Sequence, residues 1–489
     1  MEDSGSGFRV SGFGSRVSGI GFAISGRVEL LLDRRCRDRI PGTPNPKPQT
    51  LNPKPQTLFA LLFLLVFTVS LLSAGCGGGN GVVTGQFKPI NATAAVFWDR
   101  QTTETAELLR TIADEFNAKR PAALPIKVEH TGGYKEIFQK VTASIQAGAL
   151  PSMAVAYQSM TAEYIQAGAV VPFDPFISDP VAGLSPADLE DFFPVVLETN
   201  KYPDAGNKMY SFPFCKSTLM LYFNRKVLAD AGFDGPPKTW TEFLEQCRQV
   251  KAKTGKAAYP VSVDCSAIAG MIFSMGGEVM SGRQTLFDGP AAIKTFEILE
   301  TLAKEKLAYQ IPPGTYDDEM ALSQGSAAFT MRSSSGRTSI ALLMKDAQDD
   351  WGMTAIPQDD PAHPSTVLFG PNVCIFNTTP EQQRVAWEFI KFFTSPETSV
   401  RWALGTGYLP IRRSSANNPG IKKFWAEWPY NRAAFDCLPF AKSEPNLAGW
   451  QEVRTLVETA ETEVLTGVKS AKDAATALKQ KADAVLARQ

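Results

Sequence analysis

From residue 90 onward, short apolar runs alternate with segments in which apolar residues recur every three or four positions. Apolar runs predict strands at 92–98, 126–130 and 153–157, and amphipathic segments predict helices at 103–119 and 134–148. This strand–helix order is typical of an open parallel sheet with helices packed on it. We therefore expect an α/β fold.

A second region with the same alternation of strands and helices follows. It predicts strands at 218–224 and 326–331 and helices at 240–253, 289–306, 380–394 and through the final 40 residues, with a further apolar run at 367–377. Capping residues mark three of the helix starts, at Thr239, Thr379 and Ser470. Two α/β regions joined by several crossings leave a cleft, and clefts between domains are where small ligands are usually held.

The first 89 residues do not follow this pattern. The heptapeptide NPKPQTL stands at 45–51 and again at 52–58. Identical proline-rich repeats cannot build a core and prefer extended chain. We expect residues 1–57 to be a disordered, low-complexity leader.

A short apolar run, 58–72, then ends in small residues and Cys76. It is shorter than the roughly 20 residues of a membrane span but fits a signal-peptide core. The segment 58–75 resembles the signal peptide and lipobox of bacterial lipoproteins, which implies that Cys76 carries the lipid. The alternative is an uncleaved membrane anchor. Residues 76–89 are expected to be a flexible tether, and in both cases the body works outside the cytoplasm.

Composition excludes several function classes. The net charge is −1 and no basic stripe is present, so nucleic acid is not an expected partner. Only two histidines occur, His130 and His363, and no CxxC pair occurs, so we expect neither a metal site nor a cofactor. No nucleophile, zinc-protease or P-loop motif is present. The enzyme alternative is a carboxylate-based glycosidase using acids such as Asp99 and Glu129.

Several stretches of the body carry a specific resemblance. They are FPFCKSTLMLYFNRKVLADAGFDGPPKTWTEF at 212–243, the serine-rich turn at 333–336, TGYLP at 406–410, Phe97-Trp98 and a late helix with Arg454. Together they span residues 92–489. The chain resembles the extracellular solute-binding proteins of ABC importers, the family that includes the maltose-binding proteins, and most closely its sn-glycerol-3-phosphate-binding branch.

The resemblance implies a two-lobed, type II periplasmic-binding-protein fold that closes like a Venus flytrap around a ligand cleft. It implies that residues 90–215 and 369–409 form lobe 1, and residues 216–368 and 410–489 form lobe 2. It further implies a monomeric, non-enzymatic, membrane-anchored protein of the periplasm or cell exterior. Such a protein would bind a polyol phosphate, for example sn-glycerol-3-phosphate or a glycerophosphodiester, and deliver it to permease subunits. A sugar or oligosaccharide is the alternative solute.

The resemblance also implies a set of ligand-binding residues. Carried over by motif, they are Tyr134, Ser217, Ser333 or Ser334, Gly370, Tyr408 and Arg454. Gln158 stands where this branch has an acid, and a tryptophan that the branch places before the 270s is absent. Lys216 adds a cation beside Ser217, which favours an anionic solute.

Arg454 has the chemistry to bind a phosphate, because its guanidinium can fork onto two oxygens. A buried arginine without an anion costs roughly 3–5 kcal/mol, so the ligand or a nearby carboxylate must meet it. The alternative is that Arg454 pairs with Glu458, four residues on, across a solvated helix face. For Tyr408, the alternative to binding is packing against a helix end, and Ser333 and Ser334 could form only a turn.

Overall fold

The computed structural model describes residues 86–428 and 430–489. The expected leader, the signal-peptide segment, Cys76 and residues 76–85 of the tether lie outside the described residues. Among the helices that are described, none is long and apolar enough to cross a membrane.

The strands are β1 Lys88–Pro89, β2 Ala95–Asp99, β3 Ile126–His130, β4 Ala149–Leu150, β5 Met153–Ala156, β6 Lys201–Tyr202, β7 Lys208–Met209, β8 Phe212–Pro213, β9 Ser217–Asn224, β10 Tyr259–Val261, β11 Met280–Ser281, β12 Gln284–Thr285, β13 Ala308–Gln310, β14 Phe329–Ser333, β15 Trp351–Ala355, β16 Thr366–Phe369, β17 Asn372–Ile375 and β18 Ala441–Lys442.

The helices are α1 Thr103–Ala118, α2 Tyr134–Ala147, α3 Gln158–Gln166, α4 Asp174–Ile177, α5 Pro186–Glu190, α6 Pro194–Glu198, α7 Arg225–Asp230, α8 Trp240–Thr254, α9 Cys265–Ser274, α10 Pro290–Lys304, α11 Asp317–Ser323, α12 Arg337–Leu343, α13 Pro380–Phe393, α14 Pro396–Thr406, α15 Pro419–Glu427, α16 Tyr430–Asp436, α17 Trp450–Leu465 and α18 Ala471–Leu486.

The first lobe is built on a sheet with the strand order β3-β2-β5-β17-β8. Strands β2, β3 and β5 run parallel, as the strand–helix rhythm predicts, whereas β17 runs antiparallel to both β5 and β8. Every residue of β2 and β5 is buried, which explains why these strands read as continuous apolar runs. Helices α1, α2, α3, α13 and α14 belong to this lobe.

The second lobe is built around β9, whose residues are all buried. Strands β14, β15 and β16 pair with β9 antiparallel, and β18 runs parallel to β16. Leu219, Leu221 and Phe223 of β9 pack into a core with Trp450 and other residues of α8, α9, α10, α17 and α18.

The chain crosses between the lobes after β8, between β16 and β17, and after α14. The crossings touch: the Cys215 amide donates to the Pro371 carbonyl (3.3 Å), and the Leu409 amide donates to the Lys216 carbonyl (2.7 Å). The apolar run 367–377 therefore contributes to two strands in different lobes, β16 and β17. The break falls at Gly370, whose φ of 98° is a conformation that glycine adopts without strain.

The predicted helix starts are confirmed. The hydroxyls of Thr239, Thr379 and Ser470 each accept a hydrogen bond from a backbone amide three residues on. These bonds satisfy amides that a helix start otherwise leaves without a partner.

A polar and aromatic cluster between the lobes

Three helices of the first lobe begin at the same edge of its sheet. Helices α1, α2 and α3 follow the parallel strands β2, β3 and β5, and carboxyl ends of parallel strands lie at one edge, where α/β proteins form their sites. The residues that precede these helices, Thr102, Gly133 and Tyr157, make no side-chain capping bond. Their first amide groups, with the positive end of each helix dipole, thus remain at this edge.

Two arginines and two tyrosines form a stack that runs from this edge into the second lobe. The Arg100 guanidinium lies 4.8 Å from the centre of the Tyr134 ring, which lies 4.1 Å from the Tyr157 ring. On the far side, the Arg454 guanidinium lies 5.0 Å from the centre of the Tyr157 ring. We call these four side chains the arginine–tyrosine stack. Arg454 belongs to α17 of the second lobe, so the stack bridges the two lobes.

At the second-lobe end of the stack, Arg454 has carboxylate partners. Its Nη1 binds the carboxylate of Glu444 and donates to Ser266 Oγ (3.0 Å), and its Nη2 lies 3.5 Å from Asp264. Glu444 also accepts hydrogen bonds from Ser266 and from Trp450 Nε1 (3.1 Å). Burial acts to raise the pKa of Glu444, but the charge of Arg454 and these hydrogen bonds outweigh burial and hold it below its usual value.

The alternative pairing of Arg454 with Glu458 on a solvated face is wrong. Arg454 is only 7% exposed, and its ion-pair partner is Glu444, ten residues before it. Residue 454 lies on the side of α17 that faces α9 and the segment before α17, not on the solvent side. The requirement that a nearby carboxylate or a ligand meet this buried arginine is fulfilled by Glu444.

At the first-lobe end of the stack, Arg100 lacks such a partner. Its Nη1 donates to Tyr408 Oη at 3.5 Å, and its buried Nε has no hydrogen-bond partner among the described residues. No carboxylate oxygen of residues 86–428 or 430–489 lies within 4 Å of its guanidinium nitrogens. Arginine stays protonated in proteins, so this end of the stack carries a partly buried positive charge with no ion pair.

The neighbouring Asp99 is almost completely buried. Its Oδ2 accepts a hydrogen bond from the Gln101 amide (2.6 Å), whereas its Oδ1 has no hydrogen-bond partner in the described part of the chain. Burial raises the pKa of Asp99 to about 6, although the Gln101 amide and Arg100 act to lower it. Asp99 therefore offers an unused acceptor oxygen next to Arg100.

Lys216 lies where the crossings meet. Its side chain is buried, and its Nζ donates to the Gly370 carbonyl at 3.1 Å. Within the described ranges, no carboxylate forms an ion pair with it. Burial lowers the pKa of Lys216 to about 7, because a charged amine is costly away from water. The lysine is thus neither on a solvated surface nor held by a counter-charge.

The predicted serines lie at the start of the second lobe. Ser333 Oγ donates to Ser217 Oγ (2.8 Å), and Ser334 Oγ accepts a hydrogen bond from the Thr218 amide (3.3 Å). These bonds tie the end of β14 to the first residues of β9.

Two small cavities border the predicted residues. Gln158, Gly370 and Arg454 line one of about 10 Å³, and Ser334 and Tyr408 line another of about 20 Å³. Each has room for about one water molecule. A solute of several heavy atoms therefore needs the lobes to separate before it enters.

Contacts and shared cavities thus bring the nine predicted binding residues to the boundary between the lobes; their role in binding stays a prediction. Arg100, Tyr157 and Glu444 were not predicted from the sequence, and Asp99 was predicted only as a catalytic acid. The position of Asp99 and Arg100 at the carboxyl end of β2 was a usable signal, because this edge of a parallel sheet commonly binds ligands. Glu129, the second acid of the glycosidase alternative, forms an ion pair with Lys127 (2.9 Å).

Metal and disulfide chemistry do not contribute in the described part of the chain. Residues 86–428 and 430–489 contain no group of three His, Cys, Asp or Glu side chains that could hold a metal ion. The five cysteines in these ranges are buried free thiols, so Cys215 and Cys265 do not pair.

Curated relatives cover most of the chain. The sn-glycerol-3-phosphate-binding periplasmic protein UgpB of Pectobacterium atrosepticum is 26% identical over 422 residues, which cover 81% of this chain and 92% of the relative. UgpB of Escherichia coli K12 is 25% identical over 406 residues, covering 78% of this chain and 90% of the relative. The relatives are thus periplasmic binding proteins of nearly the same extent as the region matched here.

Solved structures share the two-lobed fold. UgpB of Mycobacterium tuberculosis, solved in complex with glycerophosphocholine, superposes with a TM-score of 0.70 at 19% identity, covering 82% of this chain and all of that one. The sugar-binding protein MalE of Xanthomonas citri superposes with a TM-score of 0.69 at 20% identity, covering 81% and 98%. The fold is that of the two-lobed periplasmic binding proteins.

The family model for bacterial extracellular solute-binding proteins matches residues 111–433, which is well over half of the chain. Members of this family bind small solutes and deliver them to permeases, and they are transport proteins rather than enzymes. The chain belongs to the bacterial extracellular solute-binding proteins, the solute receptors of ABC importers.

Proposed function

We propose that the solute is a small polyol phosphate, such as sn-glycerol-3-phosphate or a glycerophosphodiester. The observation that carries this proposal is the cluster between the lobes, which combines hydroxyl groups, tyrosine rings and an arginine without an ion pair. The names of the UgpB relatives, and the glycerophosphocholine complex of one structural neighbour, point to the same class of solute.

Each part of the cluster suits one part of such a solute. The hydroxyls of Ser217, Ser333 and Ser334 and the amide of Gln158 can exchange hydrogen bonds with polyol hydroxyls. The ring of Tyr408 can pack against CH groups. The Arg100 guanidinium and the positive ends of the helix dipoles favour an anion. Closure of the lobes would remove the solute from water and strengthen these interactions.

A neutral sugar is the second candidate, and one observation favours it. Glu444 already neutralises Arg454, and the unused Oδ1 of buried Asp99 can accept a hydrogen bond from a sugar hydroxyl. Under this alternative, Arg100 would donate hydrogen bonds to hydroxyl oxygens rather than to a phosphate.

Calorimetric titration of the purified protein with sn-glycerol-3-phosphate, glycerophosphocholine and maltose tests the proposal. We expect micromolar or tighter binding of at least one phosphate compound and none of maltose. Tight binding of maltose without a response to either phosphate compound would contradict the proposal and favour the sugar. The recovered compounds should be chemically unchanged, because a binding protein leaves its solute intact.

We further propose that the mature protein is a monomer held at the membrane by a lipid on Cys76. The support is the lipobox-like segment that precedes Cys76. Expression of the wild type and of Cys76→Ser in a bacterial host tests this, since we expect only the wild type to partition into detergent with the membrane fraction. Equal release of both proteins into the soluble fraction would contradict the lipid anchor.

A further inference from the structure

We infer that Arg100, rather than Arg454, receives the anionic group of the solute. This inference rests on the proposed function and refines it, because it assigns the phosphate to the first-lobe end of the arginine–tyrosine stack.

Arg454 is a poor receptor because its charge is already matched. Glu444 binds its guanidinium directly and Asp264 lies 3.5 Å from it. A phosphate placed there would face both carboxylates, and like charges at such distances repel strongly where water is excluded. Displacement of Glu444 would leave a buried carboxylate without its partner, which is equally unfavourable.

Arg100 differs, because no carboxylate lies within ion-pair distance of it among the described residues and the nearby Asp99 acts on its charge only from a greater distance. In the described part of the chain its Nε has no hydrogen-bond partner, and its Nη1 makes a long bond to a tyrosine hydroxyl. The contact with the Tyr134 ring holds the guanidinium in place without supplying an oxygen acceptor. A phosphate could therefore accept two parallel N–H bonds from this side chain, the arrangement that makes arginine selective for such anions.

The backbone near Arg100 favours an anion as well. Helix α1 begins at Thr103 and α2 begins at Tyr134, the residue whose ring contacts Arg100, and neither helix start has a side-chain cap. The positive ends of two helix dipoles therefore lie at the same edge of the sheet as the guanidinium. This is an observation independent of the unpaired Nε.

Asp99 completes the description of the solute. Its free Oδ1 can accept a hydrogen bond from a hydroxyl, while Arg100 holds an oxyanion. An acceptor and an anion receptor on consecutive residues match a molecule that has a hydroxyl close to its phosphate. We therefore expect a phosphate-bearing solute that also carries a hydroxyl, rather than bare inorganic phosphate.

The test compares Arg100→Gln with Arg110→Gln. Both variants remove one positive charge from the same segment, but Arg110 lies exposed on α1 and makes none of these contacts. Titrated with sn-glycerol-3-phosphate, R100Q should bind at least about 100-fold more weakly than the wild type, the usual loss when one partner of a buried charge pair is removed. R110Q should stay within about twofold. Thermal melts of both variants establish that they are folded.

The outcomes separate the two proposals. If the wild type binds sn-glycerol-3-phosphate and R100Q binds it equally well, the assignment to Arg100 is overturned while the proposed function stands. If the wild type binds only maltose, the proposed function fails and the assignment fails with it. If R100Q is unfolded, Arg100→Lys replaces it: the charge remains but the fork is lost, so we expect about tenfold weaker binding. Wild-type affinity in R100K would overturn the assignment.

Discussion

The two ends of the arginine–tyrosine stack use the same residue types for different purposes. Arg454 and Arg100 each contact a tyrosine ring at about the same distance. Arg454 has a buried carboxylate bound to it, whereas Arg100 has no carboxylate within ion-pair distance among the described residues. The comparison teaches that burial of an arginine beside an aromatic ring does not identify a ligand site. The counter-charge that the protein itself supplies decides whether a ligand is needed.

The largest expected effect is at the second-lobe end. Glu444→Gln leaves Arg454 buried with only Asp264, itself about half exposed, to balance its charge. We expect the free energy of unfolding to fall by about 3 kcal/mol, the lower end of the range for breaking a buried ion pair. Urea denaturation measures this change.

The matched control for this prediction is Glu305→Gln. It removes the carboxylate of the exposed ion pair with Arg248 and should cost less than about 1 kcal/mol. If E444Q is as stable as E305Q, Glu444 is not the counter-charge of Arg454, and the contrast between the two ends of the stack disappears.

The next effect concerns Lys216, which also lacks a carboxylate partner among the described residues but differs from Arg100 in that it can release its proton. Its pKa is lowered by burial to about 7 in the folded protein, from 10.5 in the unfolded chain. Between these values the unfolded chain binds the extra proton, so stability should rise with pH. Relative to Lys216→Met, the wild type should gain roughly 2–3 kcal/mol between pH 7 and pH 9.

Urea denaturation of both proteins at pH 7, 8 and 9 checks this slope. Subtracting the free energy of unfolding of one protein from that of the other at each pH removes the contribution of the titratable groups that both proteins share. Parallel pH profiles would mean that Lys216 keeps its proton in the folded protein. In that case the cluster would contain two cations without an ion pair among the described residues, Lys216 and Arg100, and either could receive an anion.

The smallest effect is at the rings. Tyr157→Leu removes the contact with Arg454 and should reduce the free energy of unfolding by about 1 kcal/mol, whereas Tyr157→Phe keeps the ring and should change it much less. Tyr134→Leu should instead mainly weaken binding of sn-glycerol-3-phosphate, since Arg100 loses its support. Urea denaturation of the three variants measures the change in stability, and titration with sn-glycerol-3-phosphate measures the change in binding. Together they distinguish the two ends of the arginine–tyrosine stack. Equal effects of Y134L and Y157L on binding would contradict the division.

Local patterns predicted much of the fold. The periodicity of α1 and α2 and the apolar runs of β2 and β5 gave bounds within a few residues, because these elements bury a regular stripe or both faces. Capping residues gave the starts of α8 and α13 for the same local reason. Features that depend only on residues close together in the chain could therefore be predicted from the sequence.

Features that depend on residues distant in the chain could not be predicted in this way. Helix α9 went unpredicted because it is buried on all sides and shows no polar face. The antiparallel β17 and the break at Gly370 follow from the change of lobe, which no local pattern records. Glu444, the partner of Arg454, lies in an irregular segment before α17, outside any helical spacing, so the sequence could name only Glu458 as an alternative partner.

Gly370 sets a limit on how this gene can vary. A Cβ at residue 370 would collide with the carbonyl oxygen of Cys215 in the neighbouring crossing, and the positive φ would add backbone strain. Every amino acid that a single-base change of a glycine codon can introduce has that Cβ. Every single-base missense change at position 370 is therefore expected to disrupt the structure. The crossing between the lobes can accept another residue there only if Cys215 or its neighbours move first.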